Sequence, residues 1–116
     1  MNSKAKEPKE TLNKFLTGMK DLSSQKKDIE STYEKMINSV FTEGSLDQKT
    51  KELISVGISV HEGNELTIYY HINQAMKAGA KEDEVLEAAL TAVVSGGLKS
   101  MAEVVTTVKE AIEAFK

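Results

Sequence analysis

The chain has no cysteine, no tryptophan and one proline. Without cysteine there are no disulfides, no thiolate metal sites, no thiol redox cycle and no cysteine nucleophile. Folding therefore needs no oxidising compartment. One proline and few β-branched runs leave little to interrupt a helix or favour a strand. An excess of basic charge is also missing. The formal net charge is -3, and a surface that binds phosphate backbones needs the opposite sign. The early lysines Lys4, Lys6, Lys9 and Lys14 are interleaved with acids and read as a solvated face. Long apolar runs are absent too. The longest uncharged stretch, Ala88 to Leu98, is too short to cross a bilayer. The first ten residues, "MNSKAKEPKE", lack the apolar centre of a signal peptide. These absences predict a cytoplasmic protein with neither a nucleic-acid nor a membrane partner.

What the chain does contain is ordinary for a globular domain. It has 116 residues, 40% of them hydrophobic and 28% charged, which fits one domain with a modest core. Ala, Leu, Lys and Glu dominate, all good helix formers. Residues 1–10 read as a disordered polar tail and 11–116 as a single helical domain. Leu12, Phe15, Leu16, Met19 and Leu22 mark a first helix by their spacing, and Ile29, Tyr33, Met36, Ile37, Val40 and Phe41 a second. "TEGSLDQ" ends the second. Ser45 and Gln48 have capping-box spacing, with Asp47 beside them. A third helix is expected over about 46–61. It is apolar most of the way round, which predicts burial. Gly63 separates it from a fourth over about 64–78, where Gly79 suits a left-handed cap. "KEDEVLEAALTAVVSGG" forms a fifth, with its acids at the favourable helix end and Gly96-Gly97 as its stop. The sixth runs from about 98 to the end. Its Leu98, Met101, Val105, Val108, Ile112 and Phe115 form a coiled-coil-like seam. The seam fits a helix packed in its own core or one packed against another subunit; with two helices apolar nearly all round in a small domain, the expectation is a homo-oligomer.

Motifs of metal and phosphate chemistry fail on inspection. "HEGNE" at 61–65 lacks the second histidine of a zinc-protease helix. Two histidines ten residues apart do not share a ligand-facing side of one helix, so no metal site is expected. "SGGLKS" lacks the spacing and preceding strand of a phosphate loop and reads as a turn. No serine sits on a nucleophile turn. No binding signature suggests a flavin. In the fourth helix, Ile68, Ile72, Ala75, Met76 and Gly79 share a face assigned to the core. Asn64, Thr67 and His71 form a separate stripe along its edge, where a cleft between helices could form. An imidazole there suits proton transfer. It equally suits a structural hydrogen bond. Tyr70 points about 100° away from His71 on an ideal helix and is assigned no role.

"DQKTKELI", "H-x-x-x-A-x-K-A-G-A", "E-x-L-E-A-A-L" and the glycine pair occur in an order that resembles the carboxymuconolactone decarboxylase family, over roughly residues 45 to 112. That family includes the alkyl hydroperoxidase D-like proteins. The resemblance implies an all-α fold of about six helices, an orthogonal, antiparallel bundle assembled as a homo-trimer or homo-hexamer. The thiol-bearing branch carries a glutamate, eleven residues, Cys-x-x-Cys, three residues and a histidine. On this chain those positions are Glu52, Asn64, Thr67 and His71. Peroxide reduction passes through a thiolate and a disulfide, and neither asparagine nor threonine can form one. A peroxidase activity is therefore not expected. The resemblance implies a cofactor-free acid–base enzyme, a decarboxylase-like lyase acting on a small organic acid or lactone. His71 would move the proton, Glu52 would orient it, and Asn64 and Thr67 would bind substrate. The alternative is a non-catalytic oligomer that binds a small molecule or a protein and kept the fold after losing the thiols.

Overall fold

The computed structural model describes residues 6–116, and all elements among them are helices. Helix α1 spans Lys6–Gln25, α2 Lys27–Phe41, α3 Gln48–Glu62, α4 Glu65–Lys77 and α5 Glu82–Glu103. A π-helical turn, Val104–Val108, joins α5 to α6, Lys109–Phe115. The expected tail falls partly in α1: residues 6–10 are helical, and the Pro8 side chain is buried. Proline is tolerated there because the first turn has no internal hydrogen bond to lose. Residues 1–5 lie outside the described residues.

The polar break after α1 shrinks to one residue, Lys26, at φ -141° and ψ 68°. Thus α1 and α2 form a tight hairpin. The cap of α3 is Asp47, not Ser45. Its carboxylate accepts the Thr50 N–H at 2.7 Å. The Thr50 side chain first, and its backbone N–H second, hold the Asp47 carboxyl below its usual range. Gly63 closes α3 at φ 74°, a left-handed conformation that a Cβ would strain. Asn64 caps α4 immediately afterwards. The chain therefore reverses within two residues, and α4 runs back along α3.

The core is built from α3, α4, α5 and the C-terminal helix. Val56, Val60, Ile68, Ile72, Ala75, Val85, Ala89, Val108 and Ala111 are all fully buried. Tyr69, on the same side of α4, is also fully buried and keeps its hydroxyl satisfied on Glu65 Oε2 at 3.2 Å. Small residues let α3 and α5 approach closely. A Cβ on Gly57 would sit 3.3 Å from the Ala88 carbonyl oxygen. The α1–α2 hairpin lies over α4 as an outer layer. No residue of α2 is buried.

The C-terminal seam divides. Val108 and Ile112 are buried, whereas Leu98, Met101 and Val105 are exposed. The π-helical turn between them explains the split. It adds a residue to one turn and so rotates the faces before and after it relative to each other. Gly97, at φ 61° and ψ -138°, breaks α5 where the glycine pair was expected to stop it. By composition, Glu82–Phe115 contains a window apolar enough to cross a membrane, with a mean hydropathy of 1.3. That differs from the reading of the uncharged run alone. The stretch is interrupted by the Gly97 break, and its Ala88, Thr91, Ala92 and Ser95 share a groove with Ile54 and Ile58 of α3, which are about half exposed.

Candidate functional site

Glu52 lies one turn into α3, on the side facing α4. Its side chain is 2% exposed, a costly place for a carboxyl without a partner. The partner is His71. Glu52 Oε1 and His71 Nδ1 are 2.8 Å apart. The two residues are 19 apart in sequence, and the reversal at Gly63 and Asn64 brings them level. With the carboxylate ionised, Nδ1–H is the donor and Nε2 carries the lone pair. Nε2 has no hydrogen-bond partner among the described residues.

His71 forms part of the wall of a cavity of about 360 Å³ between α1, α2 and α4. Phe15, Leu16 and Met19 come from α1, Tyr33, Glu34, Ile37 and Asn38 from α2, and Leu66, Thr67, Tyr70 and His71 from α4. Aromatic rings hold the imidazole in place. Phe41 lies with its centroid 5.8 Å from that of His71, and Tyr70 meets it edge-on at 5.1 Å. Phe15 in turn packs edge-on against Tyr70. Such tilted and edge-on pairs are favoured by the ring quadrupoles. Lys51, the residue before Glu52, ties down the C-terminus of α2. Its ammonium donates to the carbonyls of Val40 and Thr42 at 2.9 and 2.7 Å, at the helix end that favours a cation.

The expected site residues separate into three groups. Glu52 and His71 meet. Thr67 lines the cavity, and its hydroxyl donates to the Asn64 carbonyl at 3.1 Å. Asn64 is exposed and outside the cavity wall. Its side-chain oxygen accepts the Thr67 N–H at 3.0 Å as the α4 cap. The stripe of three is therefore a cap followed by two cavity residues.

Tyr70 was missed. Helical geometry alone turns it away from His71, but a long aromatic side chain leans along the helix surface. Its ring reaches the same wall. Burial chiefly raises its phenol pKa, and the nearby Glu52, Tyr33 and Glu34 add to the shift. Tyr33 and Glu34 were also missed. They come from α2, whose position over α4 no local pattern announces. The sequence signal was the aromatic set Phe15, Tyr33 and Phe41, which places all three phenyl and phenol rings of the first 41 residues on these two helices.

A second, shallower groove of about 500 Å³ runs between α3 and α5. Ile54, Ile58, Ala88 and Ala92 line it, with His61 Nδ1 3.3 Å from Ser95 Oγ at one end. It does not contain the Glu52–His71 pair.

The profile of the carboxymuconolactone decarboxylase family matches residues 27–110. The chain belongs to that family. It is similar to an uncharacterized protein of Methanocaldococcus jannaschii, at 29% identity over 85 residues, which is 72% of this chain and 82% of that protein. Its fold matches the crystal structure of an apo carboxymuconolactone decarboxylase family protein from Legionella pneumophila. The TM-score is 0.88 at 23% identity, covering 95% of this chain and 98% of the other.

Proposed function

We propose that this family member is a cofactor-free acid–base enzyme whose proton carrier is His71. The observation that carries the reading is the 2.8 Å contact between Glu52 and His71 Nδ1. A buried carboxylate on one ring nitrogen fixes the tautomer and leaves the other nitrogen as a base. Nε2 takes a proton from a small molecule in the α1–α2–α4 cavity. Glu52 stabilises the imidazolium that results, and the same nitrogen returns the proton to another atom of the bound molecule. A positioned base of this kind contributes roughly 10²- to 10⁴-fold. Thr67 contacts the substrate from the same wall, and a lactone is the substrate type that suits this apolar cavity. The thiol chemistry known for other members of the family is closed to this chain, which has no cysteine.

The working form is a homo-oligomer, a trimer or hexamer. The exposed apolar side chains Ile54 and Ile58 of α3 and Val94, Leu98 and Val105 further along the chain support this reading, because large apolar side chains left open to water mark surfaces that associate. The function is tested with a panel of small lactones and ketones, scored for ring opening and for solvent-deuterium uptake. At least one should turn over. His71→Gln should lose that turnover by at least about 100-fold and keep the wild-type elution volume in size-exclusion chromatography. Equal rates in both proteins would contradict the reading.

A further inference from the structure

The charge lining the cavity narrows the ligand class further, if the cavity is the acid–base site described above. No lysine contributes to its wall among the described residues. The chain carries 15 basic residues, and every one is a lysine; there is no arginine. A second copy packed against this face could therefore not supply a guanidinium, the group whose paired N–H donors match a carboxylate. Lys51 is near, but its ammonium is committed to the carbonyls at the end of α2. The charged side chains at the cavity are acidic. Glu34 stands in the wall, and Glu52 lies behind His71. If His71 is protonated, Glu52 neutralises it. A carboxylate ligand would thus lose its water without gaining an unpaired cation, and would face Glu34 as a like charge.

The cavity does offer a neutral donor. Tyr70 is half-buried in the wall, and its hydroxyl has no hydrogen-bond partner among the described residues. Its ring touches His71 edge-on. A phenol beside a base can hold a carbonyl oxygen while the base works on the adjoining carbon.

We infer that the His71 cavity takes an uncharged carbonyl compound, with Tyr70 donating a hydrogen bond to the carbonyl oxygen, and that it rejects carboxylates. The raised phenol pKa fits this role, because Tyr70 stays protonated and able to donate through the neutral range. Glu34 in the wall disfavours anions.

The test follows the imidazole signals of His71 by NMR in the full chain during additions of three ring compounds of equal size. They are cyclohexanone, cyclohexanecarboxylate and cyclohexylammonium. Cyclohexanone should shift the His71 signals to saturation, and cyclohexanecarboxylate should need at least tenfold higher concentration. Tyr70→Phe should weaken cyclohexanone about tenfold, equivalent to about 1.4 kcal/mol. It should leave methylenecyclohexane, which has no oxygen, unchanged. Equal or tighter binding of the carboxylate overturns the charge preference, and tighter binding of the ammonium overturns the uncharged carbonyl compound as the ligand; either leaves the cavity as a ligand site. An unchanged cyclohexanone affinity in Tyr70→Phe overturns the role of the phenol. If no probe moves His71, this inference falls together with the cavity on which it rests.

Discussion

Tyr69 and Tyr70 are adjacent but occupy different environments. Tyr69 is fully buried in the core, and Tyr70 is in the cavity wall. In both, burial is the main cause of a raised phenol pKa, with nearby carboxylates adding to it. A phenol whose pKa is higher folded than unfolded contributes stability that is fully present below the unfolded value of about 10 and is lost as the pH rises past it. Alkaline titration should therefore show incomplete tyrosinate absorbance around pH 10, with the remainder appearing as helical circular dichroism is lost. All three tyrosines ionising together with the helices intact would contradict this. At this scale the sequence was informative for His71 and Glu52, because a resemblance supplied a pairing that spacing could not. It misled for Asn64. An asparagine immediately before a helix is first of all a cap, and its oxygen is used that way here.

Helices α3 and α4 position the site through the turn between them, and the glycines decide how closely elements pack. Gly97 is the most constrained. Its φ of 61° with ψ of -138° is a combination open to glycine and costly for other residues. A Cβ at Gly96 would collide with the Ser100 side chain, so the pair is required twice over. Gly97→Ala should destabilise the fold by roughly 1–3 kcal/mol, read as a lower midpoint in urea with an unchanged slope. An unchanged midpoint would mean that α5 runs straight through this position. The elements were largely readable from apolar spacing and from the turns at Gly63, Gly79 and Gly96-Gly97. The π-helical turn was not. A strict three-four spacing runs through Leu98 to Phe115, and nothing in it indicates that Val104–Val108 adds a residue to one turn. The continuous seam in the sequence is therefore two faces in the structure.

At the scale of the whole molecule, the cavity and the apolar face are on different sides of α3. Glu52 faces α4, while Ile54 and Ile58 face outward beside the α3–α5 groove. Assembly through the outer face would leave the Glu52–His71 contact intact. Val94 and Leu98 are the most exposed large apolar residues on that face, at 93% and 86%. Val94→Glu with Leu98→Glu should therefore convert the proposed oligomer to a monomer in light scattering. Helical content and the His71 spectrum should be preserved. A wild type that is already monomeric would remove the explanation for this face. The all-α class was legible in the composition, and the apolar surplus in the helices that are apolar nearly all round. Which apolar residues turn outward was not, because it depends on the phase change at the π-helical turn and on how α1 and α2 cover α4 but leave α5 open.

The measurement that bears most directly on the account is the tautomer of the neutral His71 ring, read from its nitrogen NMR signals in the wild type and in Glu52→Gln, with His71→Gln for assignment. The account predicts a proton on Nδ1 and a bare Nε2 in the wild type, and a shift toward the Nε2–H form once the carboxylate is gone. A wild-type ring protonated on Nε2, or the same tautomer in both proteins, would contradict the pairing of Glu52 with His71 as a functional unit.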